Sequence, residues 1–423
     1  MTDGQGPRLS LFGAPGSNTN LGLNALMQGT VAAALQAEPG ARFTVFDNEL
    51  GVRDGRMTLD GRTVGYRLVG ARRSRRVTRP ESYAAMTAAL LVRGRGNPGT
   101  RAVMGSDLVL DVSGGDSFSD IYGMHRFRTV CAPKRFALRA GRPLVLLPQT
   151  YGPFASRQAE DEARSLVRDA EQAWARDADS HAVLLDLLGQ DADPERHRLG
   201  VDLAMMLPAS PSTGLPGALS ELMDRRPVGV NVSGLLWNSP EPFGLRADYR
   251  ETVRRVVTEL VGQEHEVVLV PHVLGRRPGG EADNLAADAL HSLLPDAVGR
   301  RVVPLAWLED AGQAKAVVSR CSFFVGTRMH STIAALSTGT ACCAIAYSSK
   351  YQGVFAGLGV AEASLDARVL STDELVASVL ATKERAEQLR ATLARTVPEV
   401  QAQAVRQMVQ ILDARRPVSS ARR

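Results

Sequence analysis

"CSFFVGTRMHSTIAALSTG", residues 321–339, reads as a strand, a tight turn and a helix in one line. The run CSFFV has no charged interruption, so it suits a strand buried on both faces, and Gly326 permits a sharp exit from it. The small-residue stretch STIAALSTG then reads as a helix whose first amides have no partner inside the helix. Buried strands that feed helices through small-residue turns are the units of a parallel, doubly wound sheet.

The same grammar recurs on either side. "RLSLFGAPGSNTNLGLNALMQGTVAAAL" (8–35), "SDLVLDVSGGDSFSDIYG" (106–123) and "RPLVLLPQTYGPF" (142–154) each end an apolar run in a Gly, Ser, Asn or Pro turn. "FTVFDNEL" (43–50) adds a strand, and the polar, basic residues 51–80 read as a variable loop or a small hairpin. After "VDLAMMLPASPSTGLPGAL" (201–219) a second series begins with "PVGVNVSGLL", "EVVLVPHVLG", "RVVPLAW" and "TACCAIAYSSK". The expected fold is therefore α/β, with two Rossmann-like domains built on parallel sheets. The first domain covers residues 1–206, the Pro/Ser/Gly-rich residues 207–218 form a linker, and the second domain covers 219–400. Residues 401–423 supply a terminal helix and tail.

Composition narrows the function classes. A chain of 423 residues with 44% hydrophobic and 22% charged residues can bury two cores, which argues against a disordered chain. The net charge of +5, from 50 Lys+Arg against 45 Asp+Glu, suits anionic small molecules as well as nucleic acid. The basic run "RRSRRVTR" (72–79) lacks interleaved aromatics that would stack bases, so no nucleic-acid partner is expected. Cys131, Cys321, Cys342 and Cys343 fit neither a disulfide framework nor a zinc knuckle, so a reducing compartment is expected. With no signal-like start and no apolar stretch of roughly 18 residues, a cytoplasmic protein without an integral membrane segment is expected.

Polar clusters fall at five strand ends, where open parallel sheets bind ligands. They are 18–24, 113–120, 149–153 (beginning with Gln149), 231–234 and 327–330. Arg328 and His330 flank the start of a helix, a place already biased toward anions. An arginine fork grips carboxylate or phosphate, and a histidine exchanges protons near neutral pH. The structural alternative is that Arg328 pairs with a carboxylate while His330 caps the helix. Against it, no Asp or Glu lies between Asp310 and Glu362. In "SGGDSFSD", Gly114 and Gly115 let backbone approach a ligand, and Asp116 is an acid, a base or a hydroxyl acceptor unless it caps the next helix. His272, after a strand and Pro271, serves either structure or chemistry, and Asn231 and Ser233 either bind ligand or satisfy turn amides.

Together the motifs "SNTNLG", "SGGDSFSD", "LPQTYGPF", "RDADS", "VDLAM", "VGVNVSG", "VPH" and "GTRMHSTIAALSTGTACCAIAYSSK" resemble, in order, those of the polysaccharide pyruvyltransferase family. That resemblance implies a fold similar to the glycosyltransferase B type, with the active site in the cleft. It also implies transfer of a pyruvyl group from phosphoenolpyruvate to sugar hydroxyls, forming a ketal and releasing phosphate, with no cofactor and no metal. His330 and Asp116 would be catalytic. Arg328, Lys350, Ser348, Asn231, Ser233, His272, Gly114, Gly115 and Gln149 would bind substrate, with the acceptor on the amino-terminal side. Leu23 departs from the family, which commonly has an acidic residue beside that place. The partners implied are phosphoenolpyruvate and a sugar-containing acceptor, with homo-oligomerisation left open. The competing readings are a nucleotide-sugar glycosyltransferase of the same architecture and a non-catalytic glycan-binding homologue.

Overall fold

The structure is a computed structural model that describes residues 6–15, 19–74, 76–209, 217–277 and 280–415. It contains two sheets. The first takes β1 (Arg8–Phe12), β2 (Arg42–Asp47), β3 (Val52–Leu59), β4 (Arg62–Gly70), β5 (Leu108–Asp111), β6 (Leu144–Gln149), β7 (Gln172–Ala175) and β8 (His197–Leu199) in the order β3-β4-β2-β1-β5-β6-β7-β8. All neighbours are parallel except β3 and β4. Residues 51–80 thus include a hairpin, which adds to the sheet edge through β4 alongside β2. The alternating burial of β3 marks a sheet face half open to solvent, whereas β5 and β6 are buried throughout.

The second sheet takes β9 (Val228–Val230), β10 (Val267–Leu269), β11 (Val302–Pro304), β12 (Phe323–Gly326), β13 (Cys342–Ala346) and β14 (Ser364–Asp366) in the order β11-β10-β9-β12-β13-β14, with every pair parallel. Two doubly wound parallel sheets are what the repeated strand, turn and helix grammar predicts. The helix expected after Gly326 spans Met329–Leu336.

By packing, residues 1–17, 26–206 and 402–423 form one unit, and residues 18–25 and 207–401 the other. The division does not fall at residues 206–219 alone. Residues 18–25, at the start of helix Leu21–Ala37, group with the second unit, and the boundary near residue 401 lies inside helix Ala386–Asp413. Most of the expected linker, residues 210–216, lies outside the described residues. Among the described residues, no helix is long and apolar enough to cross a membrane.

Candidate functional site

The order of the second sheet reverses between β9 and β12, which lie side by side. A crevice opens beyond the carboxyl ends of such a pair, because the connecting chains leave toward opposite faces. Asn231 follows β9 there, and Thr327 and Arg328 follow β12. Asn231 is fully buried and spends both ends of its amide on structure. Its Oδ1 accepts from the Arg328 amide at 2.8 Å, the Thr327 amide at 3.3 Å and the Ser331 hydroxyl at 3.2 Å. Its Nδ2 donates to the Val270 carbonyl and to Asp283. Asn231 therefore pins the two strand ends together. Ser233 is equally buried, and its hydroxyl caps helix Gly234–Asn238 by accepting from Leu236.

Arg328 has two acidic partners, contrary to the expectation from its neighbours in sequence. Asp283, with a fully buried side chain, accepts from Arg328 Nε at 3.1 Å and Nη2 at 3.0 Å, both on Oδ1. Nη2 also donates to the Glu281 carbonyl at 2.7 Å, while Nη1 reaches the exposed Glu281 carboxylate at 3.4 Å. A search along the local sequence misses these acids because they precede Arg328 by 45 and 47 residues. Burial disfavours the guanidinium charge, but Asp283, with help from Tyr347 and Glu281, outweighs it and raises the Arg328 pKa above its ordinary value. The Nε and Nη2 edge is committed to the protein. Only the Nη1 corner, held by a long bond to an exposed carboxylate, is cheaply available to a ligand.

Asp283 is the hub that sequence reasoning missed. Besides Arg328 it accepts from the amides of Gly234, His272 and Val273 and from Asn231 Nδ2. It opens helix Asp283–Ser292, and "EADN" before an apolar helix carries a helix-start signal but nothing that names these partners.

His272 and His330 meet at this centre. His272 is buried, its Nδ1 has no hydrogen-bond partner, and its pKa falls to about 3. The main cause is desolvation, followed by the neighbouring His330 and Arg328, and hydrogen bonding to the backbones of His330 and Pro271 offsets part of it. His272 is therefore a neutral ring at pH 7. His330 lies in the first turn of helix Met329–Leu336, whose N-cap residue Arg328 makes no side-chain capping bond. Against the ring sits Gly22: a Cβ there would stand 2.7 Å from His330 Nδ1 and 3.0 Å from Cγ. This explains the grouping of residues 18–25 with the second unit. The Leu21 amide donates to the His272 carbonyl at 2.8 Å, Leu274 donates to Thr19, and Asn20 Oδ1 accepts from Gly22.

Lys350 starts helix Lys350–Gly357 after β13, with its ammonium 5.2 Å from the Tyr347 ring centre and 5.8 Å from that of Tyr351. The Tyr351 hydroxyl donates to the Thr327 carbonyl, which ties this aromatic shelf to the turn after β12. Ser348 Oγ is buried without a hydrogen-bond partner. The second unit thus gathers Arg328, His330, His272, Asn231, Ser233, Ser348 and Lys350 at one end of its sheet.

The remaining candidates belong to the first unit. Its order reverses between β1 and β5, and the chain leaves β5 through Ser113, Gly114 and Gly115, all with positive φ (49°, 66° and 85°). Two glycines meet this demand without strain. The Gly115 carbonyl accepts from the Thr150 amide at 2.8 Å, so "SGGD" and the loop after Gln149 are neighbours. Gln149 is fully buried, with Nε2 3.5 Å from the Tyr151 hydroxyl and Oε1 without a hydrogen-bond partner. Asp116 is half-buried in the same turn. Asp120 at the end of the motif is structural, accepting from Ala155 and Ser156 at the start of the next helix.

Residues 20–349 match the family model described as polysaccharide pyruvyl transferase. The amylovoran biosynthesis protein AmsJ of Erwinia amylovora is 23% identical over 306 residues, 69% of each chain. Among solved structures, a UDP-GlcNAc 2-epimerase from Neisseria meningitidis superposes with a TM-score of 0.56 at 13% identity, covering 96% of this chain and 99% of its own. An α,α-trehalose 6-phosphate synthase from Burkholderia multivorans gives 0.52 at 11% identity, covering 97% and 98%. The fold is of the glycosyltransferase B type.

Proposed function

Because the chain belongs to the polysaccharide pyruvyl transferase family, we propose that it moves the pyruvyl group of phosphoenolpyruvate onto two hydroxyls of a sugar acceptor, as a cyclic ketal, with release of phosphate. The observation that carries this reading is the turn after β12. There an uncapped helix start, a half-buried histidine and a nearby lysine meet at the reversal point of a parallel sheet.

The donor presents a carboxylate and a phosphate. Asp283 neutralises most of Arg328, so the anion's attraction comes from the helix start, from Lys350 and from the Nη1 corner of Arg328. His330 supplies the proton that the methylene carbon takes up. The second carbon becomes electrophilic, one sugar hydroxyl bonds to it, and its bond to the phosphate oxygen breaks. A neighbouring hydroxyl then closes the ketal on the same carbon. Of the two hydroxyl protons, one is balanced by the new methyl hydrogen and the other leaves with phosphate. His272, buried and neutral near His330, does not titrate in this reaction.

The test is phosphate release from phosphoenolpyruvate across a panel of glycans, with ketal detection by NMR of the product methyl group. Release that depends on one class of glycan supports the reading. Stabilisation by a nucleotide sugar, with no effect of phosphoenolpyruvate, would replace it with glycosyl transfer.

A further inference from the structure

The first unit carries a cationic track with no part in the chemistry above. Helix Met124–Arg139 contains no acidic residue, and His125, Arg128, Ala132, Arg135 and Arg139 recur at intervals of three and four, so they share one face. From His125 to Arg139 that face runs about 21 Å at 1.5 Å per residue. Beside it, facing helix Tyr83–Leu90, lies a groove of about 580 Å³ lined by Arg73, Arg135 and Arg139 over Tyr83 and Phe136. The rings of Tyr83 and Phe136 lie 6.0 Å apart.

Arg73 belongs to the run "RRSRRVTR". Its Nη1 lies 3.4 Å from His125 Nδ1, which brings that loop to the helix start. Among the described residues, the only carboxylate ion-paired to these arginines is Glu162, on Arg135, while Arg128 donates to the neutral Gln158. The cations also feel one another: burial is the main cause lowering the Arg135 pKa, Cys131 opposes it, and Arg139, Arg73 and Arg128 each lower it further. Arg126, on another face of the helix, donates to Ser117 Oγ at 3.0 Å. The track therefore begins beside the "SGGDSFSD" loop, at the carboxyl end of the first sheet.

We propose that this groove and the arginine face beside it hold an anionic glycan strand, the carboxylate-bearing part of the acceptor or product. The length of the track calls for an extended ligand with charges at intervals, not a single anion. Its concave walls suit a chain better than a bilayer, which binds through protruding apolar side chains. Phe136 is buried and cannot stack on bases. The inference rests on the proposed reaction in one respect: each pyruvyl ketal adds a carboxylate, so a growing product becomes a polyanion.

The test is fluorescence anisotropy on the full chain without phosphoenolpyruvate, using a labelled oligouronate, a neutral oligoglucan of equal length, phosphatidylglycerol vesicles and duplex DNA. The oligouronate binds, more weakly as salt rises, and the glucan does not. Arg128→Gln/Arg135→Gln/Arg139→Gln weakens binding by roughly tenfold or more and flattens the salt dependence. Arg73→Gln/Arg139→Gln, which breaks no ion pair, weakens it in the same sense and guards against misfolding of the triple variant. Unchanged oligouronate affinity in both variants overturns the proposal, as does equal binding of the neutral glucan. Binding of vesicles or DNA in preference to oligouronate overturns it too. Loss of oligouronate binding with phosphate release intact, or the reverse, separates this inference from the proposed reaction.

Discussion

Asp283 and Arg328 lie 45 residues apart in the chain and meet in one buried ion pair, with Nε and Nη2 of the arginine both on Oδ1 of the aspartate. The same carboxylate accepts from three backbone amides and from Asn231. It therefore joins the ends of β9 and β10 to the turn after β12. The pair has a chemical consequence as well. It offsets much of the charge of Arg328 and leaves only the Nη1 corner on a long bond to the exposed Glu281.

Asp283→Ala leaves a buried guanidinium without its counter-charge, and the loss of stability expected is about 3 to 5 kcal/mol. Denaturant unfolding measures it. In Asp283→Leu/Arg328→Met, where both charges are gone, stability returns by a large part of that loss. A double variant no more stable than Asp283→Ala would show that the amide contacts of Asp283, not the ion pair, carry its weight.

Arg328→Lys keeps the charge but cannot span Asp283 and the Glu281 carbonyl at once. The expected result is a rise in the KM for phosphoenolpyruvate of roughly tenfold, because the planar fork that directs Nη1 at the donor is lost. Arg328→Ala acts more strongly and Lys350→Ala in the same direction. Donor affinity unchanged in both arginine variants would remove Arg328 from the donor site.

His330→Gln retains hydrogen bonding but cannot titrate, so turnover should fall by roughly a hundredfold, with the pH profile between 6 and 9 flattened. Near-normal turnover across that range would make His330 an anion ligand only and leave Asp116 as the proton donor to test.

Gly22→Ala sets a methyl group 2.7 Å from His330 Nδ1. The ring has to move, and a displaced catalytic group costs up to about a hundredfold in rate. The expected signature is a lower kcat with little change in donor KM, read together with an unchanged Tm. A change confined to KM would assign Gly22 to donor binding.

His272 predicts the pH dependence of stability. Its folded pKa of about 3 lies below its ordinary value of 6.5, so the unfolded chain binds more protons between these two values. Stability is full above pH 6.5 and is lost as pH falls toward 3. Between pH 7 and 5 this residue alone accounts for about 2 kcal/mol. His272→Gln should therefore show a shallower loss of Tm over that interval. An identical slope would place the acid sensitivity elsewhere.

The fold was legible because burial on both faces writes itself into local sequence. CSFFV and LVLLPQ are apolar without alternation, and each meets its small-residue turn within a few positions. Arg328 and His330 were legible for the same reason, since strand end, turn and helix start are contiguous. The partners of these residues were not. Asp283 and Glu281 reach Arg328 only because β9, β10 and β12 lie side by side, and Gly22 reaches His330 only because residues 18–25 pack with the other unit. Local sequence was enough to say which residue types stand at the strand ends. Tertiary structure alone decided which of their hydrogen-bonding groups are already spent, because burying a charge demands a partner wherever in the chain one can be brought close.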